Sequence, residues 1–300
     1  MMMPNPYVVP YQEIHAIVHE NQELVELIEL PSCFGGGGWA LHHYSKRQNV
    51  IEARQCGNSF RYLVRVGRCE EEFRSPDKAA GIVEVDVVDD RVFITYGGLG
   101  GGGVGATLCR ALAKGVVSHK LTPSGGGKYA EGVLELVGRR RVVIGVDNTD
   151  SKDRGATWAL VHNVARAVKN SDVVYLSHAI VQLYPVSKKT QNCTATVVEF
   201  GCVRGKEDEL VDRFCELVLE HTLSDETGVA VWVGFDCSHL LDFSRRARHG
   251  WVELEDALEL RNNGVRFPVE GDGVIGAVAS LPYYSRVMEA PKIDWESASG

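Results

Sequence analysis

The chain has 300 residues, more than one compact core usually organises, so its length favours two domains. Its 44% hydrophobic and 24% charged residues exclude wholesale disorder, and no apolar run is long enough for a membrane span. The net charge of −8 is concentrated in residues 141–300, which disfavours nucleic acid as a partner because phosphate would be repelled there. The N-terminus lacks the basic start and apolar run of a secretory signal, so we expect a soluble cytoplasmic protein.

Short valine-rich runs alternate with amphipathic stretches along the chain. The valine-rich runs predict strands at 61–66, 81–88, 91–96, 141–146, 172–176, 195–200 and 229–235. Apolar residues at three- and four-residue spacing predict helices at 105–114, 155–169, 206–221 and 239–249. This mixture predicts an α+β (mixed α/β) fold.

A polar, glycine-rich stretch at 122–128 is the clearest break in the middle of the chain. It leads us to predict a Gly-rich N-terminal α+β domain over residues 1–138 and a second region over 139–290. The polar residues 291–300 are expected to form a disordered tail. The eight cysteines include no CxxC pair, which favours reduced thiols over a disulfide framework or a zinc site.

The sharpest chemical signal follows the predicted strand at 141–146. Asp147 and Asp150 are hard oxygen ligands of the kind that Mg²⁺ prefers, so both are predicted to be metal ligands and catalytic residues. The hydroxyls of Thr149, Ser151 and Thr157 are predicted to bind a cofactor at the start of the next helix, where free N–H groups favour phosphate. The alternative is an ordinary polar turn in which Asp150 or Ser151 caps the helix.

A second signal is a loop with seven glycines between positions 97 and 105. We predict that Gly100, Gly101, Gly102 and Gly103 let the backbone approach a bound nucleotide, closing over the site as a lid. The stretch lacks the Gly-Lys-Ser/Thr ending of a Walker A loop, and the alternative is a tightly packed connection. The glycine runs at 35–38 and 125–127 are weaker candidates of the same kind.

The third signal is the polar loop between the strand predicted at 172–176 and the one at 195–200. Lys188 and Lys189 suit phosphate oxygens, and Thr190 adds a hydroxyl, so these three are predicted to bind the cofactor, with Lys189 also catalytic. The alternative is a solvated loop with scattered charge.

Taken in order, five segments of residues 141–280 resemble the archaeal tRNA-isoleucine agmatinylcytidine synthetase. These segments are IGVDNTDS with GATWAL (144–160), QLYPVSKKTQNCTA (182–195), ETGVAVW (226–232), LLDFSRRARHG (240–250) and EGDGVIGAVA (270–279). The last is similar to a glycine-rich turn of that family. The resemblance implies that residues 139–290 form an ATP-binding kinase-like region with an adjoining ferredoxin-like domain, and that the Asp-rich turn handles metal and phosphate.

The whole chain resembles the methanogenesis marker protein 11 family of methanogenic archaea. It departs from the synthetase where Asn148 replaces an aspartate and where Gln191 begins a changed loop. The modules with which the synthetase holds tRNA, an OB-fold and a zinc ribbon, have no counterpart.

These features predict a Mg-ATP-dependent phosphoryl- or adenylyl-transfer enzyme linked to methanogenesis, with an unidentified small molecule or protein as acceptor. The alternative is a non-catalytic nucleotide-binding factor for assembly of the methane-forming enzyme, and a third reading is tRNA modification. The sequence leaves open the role of residues 1–138, the bond broken and the oligomeric state, with a homodimer among the options.

Overall fold

The computed structural model describes residues 5–124, 127–187 and 190–293, and the chain divides into two compact units at Arg139 and Arg140. Elements are numbered in chain order through both units. Strand β9 (Ala130–Asp147) contributes its first residues to one unit and its last residues to the other.

The first unit is a twisted sheet with two helices. Its strands are β1 (Tyr11–Val18), β2 (Leu24–Pro31), β3 (Val50–Cys56), β4 (Ser59–Arg65), β5 (Gly67–Arg68), β6 (Ala80–Val88), β7 (Arg91–Gly98), β8 (Val116–Leu121) and the start of β9. The antiparallel pairs are β3 with β4, β4 with β2, and β2 with β1. Strand β1 also pairs with β9, in parallel. Strand β9 also pairs antiparallel with β7 and β8, and β7 continues to β6 and β5.

Helices α1 (Phe34–Tyr44) and α2 (Gly102–Arg110) pack on this sheet. The glycine run at 35–38, which was considered as a loop, forms the first turns of α1. Packing explains the helix in spite of its low propensity, because a Cβ at Gly37 would lie 2.5 Å from the Phe60 ring and 2.8 Å from Pro31. Close contact with the sheet therefore requires glycine there.

The glycine-rich stretch between 97 and 105 is also more regular than expected. Strand β7 runs to Gly98, a 3₁₀ turn covers Leu99–Gly101, and α2 starts at Gly102, three residues before the predicted start. The turn uses left-handed backbone at Gly100 (φ 62°) and Gly101 (φ 80°). A Cβ at Gly103 would lie 2.2 Å from the carbonyl oxygen of Ala130, so part of the glycine content serves close packing.

The second unit is an antiparallel sheet covered by helices on both faces. Its strands follow the order β10 (Val173–Gln182), β11 (Thr194–Cys202), the end of β9, β12 (Gly228–Val233) and β13 (Arg266–Glu270). Its helices are α3 (Thr157–Ala167), α4 (Glu207–His221), α5 (Leu241–His249), α6 (Leu254–Leu258) and α7 (Val274–Ser280). The prediction of an α+β fold is confirmed.

Successive side chains of β9 point to opposite faces of the sheet, so this strand contributes to both hydrophobic cores of the unit. Val142, Ile144 and Val146 point to the core under α3 and α4, whereas Val143 points to the core under α5 and α7. On that second face a Cβ at Gly145 would lie 2.0 Å from a carbonyl oxygen of α7. The segment expected as a glycine-rich turn at 270–279 thus contains a helix that rests directly on β9.

All eight cysteines are free thiols. Within the described residues, no helix combines the length and the apolar character that a membrane span requires. Residues 294–300 of the predicted tail lie outside the described residues.

Candidate functional site

Strand β9 delivers Asp147 to the turn that precedes α3. The chain reverses at Asn148, whose φ of 55° lies in the left-handed region that asparagine tolerates. The backbone N–H of Asn148 donates to Oδ1 of Asp147 at 2.8 Å, which fixes one side of the carboxyl group. Asp147 directly follows the buried residues 141–146 at the C-terminal end of β9, so its position is set by the sheet and not by a mobile loop.

The other carboxyl oxygen of Asp147 lies against the first turn of α7. A Cβ at Gly276 would come within 1.9 Å of Oδ2, so only glycine leaves room for this oxygen. Burial raises the pKa of Asp147 to about 8; the Asn148 N–H opposes the shift and the nearby charge of Asp150 adds to it. Burial therefore disfavours the ionised form of this carboxyl, and an approaching cation would favour it.

Asp150 is buried among threonine hydroxyl groups. Thr190 donates to its Oδ1 at 2.6 Å, and Thr157 donates to the same oxygen at 3.4 Å. Thr149 donates to Oγ1 of Thr157 through both its backbone N–H, at 3.2 Å, and its hydroxyl, at 3.1 Å. Thr190 and Thr157 thus orient the carboxyl group of Asp150, and Thr149 orients Thr157.

The segment after Thr190 is tied to the Asp-rich turn by Gln191. Its side-chain N–H₂ donates to the carbonyl oxygens of Ser151, at 2.8 Å, and Gly155, at 3.2 Å. The hydroxyl of Ser151 donates to the carbonyl of Arg154 at 3.3 Å, so it stabilises the turn. The predicted residues Lys188 and Lys189 lie outside the described residues.

A cleft of about 410 Å³ opens beside these groups, and Asp147, Thr190 and Cys193 form part of its wall. The carboxyl-bearing residues of the wall are Asp147, Glu226, Glu253, Glu255 and Asp272, and the described part of the wall contains no lysine or arginine. An anion therefore needs a cation to enter this cleft. Among the described residues, no third His, Cys, Asp or Glu joins Asp147 and Asp150 in a group that could hold a metal ion.

The structure thus brings six of the predicted site residues together, namely Asp147, Thr149, Asp150, Ser151, Thr157 and Thr190. Gly100, Gly101, Gly102 and Gly103 belong to the first unit, and their role in nucleotide binding stays a prediction. Sequence reasoning missed Gly276 and the acidic residues of the wall. The repeated glycines of EGDGVIG were the available signal, because a helix can rest on a strand end only where side chains are absent.

Comparison with known proteins finds a domain match within the second unit and a relative of the whole chain. Residues 143–212 match the family model of the TiaS TCKD domain. Along almost its full length the chain is also similar to an uncharacterized protein of Methanocaldococcus jannaschii, with 36% identity over 294 residues, 95% of this chain and 97% of the relative. The chain belongs to the family of this archaeal protein. The resemblance to the synthetase is confirmed, whereas the narrower assignment to the marker family stays a prediction.

Solved structures similar to the chain include two complexes of TiaS with an isoleucine tRNA. The complex that also holds ATP has 24% identity and a TM-score of 0.43, with 48% of this chain and 36% of that chain covered. The complex that also holds AMPCPP and agmatine has 22% identity and a TM-score of 0.42, with 47% and 36% covered. The chain thus spans about a third of the length of these proteins.

The prediction that disfavoured nucleic acid as a partner is wrong. The family model that matches residues 143–212 is named for TiaS, a tRNA agmatidine synthetase, so this segment is similar to part of an enzyme that acts on nucleic acid. The physical error was to treat the negative charge of residues 141–300 as one surface. Net charge describes long-range attraction, whereas a nucleic acid contacts only a local patch.

Proposed function

We propose that the chain is an ATP-using enzyme that modifies tRNA, with the cleft of the second unit as its active site. The observation that carries the proposal is the half-buried Asp147, whose carboxyl group lines this cleft next to Asp150 at the start of the TCKD-like segment. The TCKD match favours tRNA modification, the third sequence reading, over transfer to a small-molecule or protein acceptor. A link to methanogenesis enters the proposal only through the resemblance of the whole chain to the marker family.

The residues present fit a divalent cation at this site. Two carboxyl groups supply hard oxygen donors, and the raised pKa of Asp147 indicates a group whose negative charge the described residues do not compensate. We propose Asp147 and Asp150 as the groups that would hold Mg²⁺. When bound, the ion would neutralise phosphate charge during transfer.

The surrounding hydroxyl groups have positioning roles in this proposal. Thr157 and Thr190 hold Oδ1 of Asp150, and Thr149 holds Thr157, so the carboxyl faces one direction before ATP arrives. Ser151 and Gln191 keep the turn closed. Lys188 and Lys189 remain proposed contacts to the phosphates on the basis of the sequence alone.

The test is ATP turnover by the purified chain with Mg²⁺, with and without unmodified archaeal tRNA, together with mass spectrometry of the nucleosides. Asp147→Asn keeps the shape of the side chain but cannot become an anion, so we expect loss of turnover. Asp153→Asn is the matched control, because Asp153 is exposed on the same turn. Turnover that requires tRNA, is lost in Asp147→Asn and survives in Asp153→Asn would support the proposal.

Two other results would contradict it. Stoichiometric ATP binding without turnover in the presence of tRNA would favour the non-catalytic assembly factor. Turnover that is equal in the wild type and in Asp147→Asn would remove Asp147 from the active site.

A further inference from the structure

The first unit contains a cavity of about 250 Å³ that none of the functions discussed so far uses. It lies between α1 and α2 and reaches the ends of β1 and β2. Its lining includes glycines and alanines of the two helices, together with aromatic rings, two thiols and one guanidinium group. Those that matter here are Cys33, Gly36, Ala40, Gly105, Ala106 and Cys109.

Two of the three glycine-rich segments of the first half of the chain, 35–38 and 97–105, thus meet at one cavity. The spacing of Gly36 and Ala40 on α1, and of Gly102 and Ala106 on α2, places small residues on one face of each helix. At Gly105 an added Cβ would have no described heavy atom within 4 Å, so the glycine there leaves open space and does not serve packing. A cavity of only about 150 Å³ lined by apolar side chains is enough to bind benzene, and this one is larger.

The floor of the cavity carries no free charge. Arg110 is buried and donates to both carboxylate oxygens of Glu29, at 2.6 and 2.7 Å. Its remaining bonds include the carbonyl of Ala106, at 3.1 Å, and the hydroxyl of Tyr11, at 3.0 Å. Burial, and then the nearby Glu29 carboxylate, raise the pKa of Tyr11, so this hydroxyl stays neutral. A charged ligand would find no partner for its charge here.

The walls of the cavity favour an aromatic ring over an aliphatic chain. The rings of Tyr11 and Tyr44 already lie against the Arg110 guanidinium, at 4.2 and 5.4 Å from their centroids. Trp39 lines the cavity with about half of its surface exposed to solvent. Ring faces and edges pair best with other rings, and the bare backbone of the glycine positions gives a flat ring room to approach. The sulfur atoms of Cys33 and Cys109 add polarizable contacts of the kind that aromatic rings accept.

We propose that this cavity binds a neutral, planar aromatic ring system of about the size of a purine. The proposal concerns the first unit alone, and it does not depend on the function proposed for the second. A free small molecule and the base of an unpaired RNA nucleotide share this chemistry.

The proposal can be tested through the two thiols in the wall, because a bound molecule would protect them from alkylation. The rate at which iodoacetamide alkylates Cys33 and Cys109 is measured by mass spectrometry. The measurement is made with and without a probe, which is indole, adenine or a short oligoadenylate. With a probe at ten times its Kd, mass action predicts that both thiols react about tenfold more slowly. The half-buried Cys193 lines the cleft of the second unit, so its rate in the same spectra reports separately whether a probe enters that cleft. Protection by adenine or indole would identify a small molecule, and protection by the oligoadenylate alone would identify an RNA base.

Two matched variants test the location of the site. Gly105→Phe adds a large side chain at an exposed position of the lining and should abolish protection by every probe. Gly38→Phe is the control, because Gly38 is also a helical glycine with no described atom within 4 Å of an added Cβ, but it does not line the cavity. The proposal is overturned if no probe protects either thiol, or if Gly105→Phe leaves the protection unchanged while both variants melt as the wild type does.

Discussion

The contact between Asp147 and helix α7 leads to a double-mutant test of the candidate site. In Gly276→Ala the new Cβ would lie 1.9 Å from Oδ2 of Asp147 and 2.9 Å from Cδ1 of Leu183. The leucine methyl can move, whereas the carboxyl is fixed by the Asn148 N–H on its other side. Overpacking of this kind costs about 1–3 kcal/mol.

The same substitution should be nearly harmless when the carboxyl is absent. In an Asp147→Ala background, Gly276→Ala meets only the flexible leucine and gains helix propensity, so we expect a cost below about 1 kcal/mol. The coupling between the two positions is then about 2 kcal/mol. In a unit of this size, 2 kcal/mol corresponds to a change in Tm of about 4–8 °C.

The assay is scanning calorimetry of the wild type, the two single variants and the double variant. Gly250→Ala is the control in the same cleft, because its nearest neighbour, the carbonyl of Arg246, lies 3.8 Å from the added Cβ. The reasoning is refuted if Gly276→Ala lowers Tm equally with and without Asp147. It is also refuted if Gly250→Ala is as harmful as Gly276→Ala.

Two further predictions concern other parts of the molecule. Gly103→Ala should lower the free energy of unfolding by about 1–3 kcal/mol, and with it Tm, because the added Cβ would lie 2.2 Å from the backbone oxygen of Ala130. An unchanged melting curve would contradict this packing. Burial, and then the adjacent His162, lower the pKa of His178 from 6.5 to about 4, so the unfolded chain takes up this proton first. Stability should therefore fall as pH drops from about 6.5 to about 4, by at most about 3 kcal/mol, and His178→Asn should flatten the Tm-against-pH profile.

The central strand of the second unit could be predicted from sequence because both of its faces are buried. Val142 and Val143 enter different cores, so the strand reads as a continuous apolar run. Strands β1 and β2 could not be predicted in this way, because charged residues interrupt them. Glu29, for example, is fully buried only because Arg110, which is distant in sequence, pairs with it.

In the candidate site, too, residues that are close in sequence could be predicted, whereas contacts between distant residues could not. Asp147, Thr149 and Asp150 are neighbours in sequence, so their chemistry could be read directly from the turn. The glycines of EGDGVIG indicate a close approach of the backbone, but they do not identify the carboxyl of Asp147 as the group that fills the space, and nothing near Asp150 indicates its bond to Thr190. The α1 helix is the reverse case, where local propensity predicted a loop and packing on the sheet produced a helix.

The four consecutive glycines of α1 have a consequence for the dynamics of the first unit. Relative to alanine they cost the helix about 2–4 kcal/mol, so its first turns have little stability apart from what their neighbours provide. Such a segment opens by local unfolding well before the rest of its unit. Its backbone amides should therefore exchange with deuterium faster than those of the buried strands β6 and β7. A molecule seated between α1 and α2 would slow that exchange without altering the exchange of the sheet.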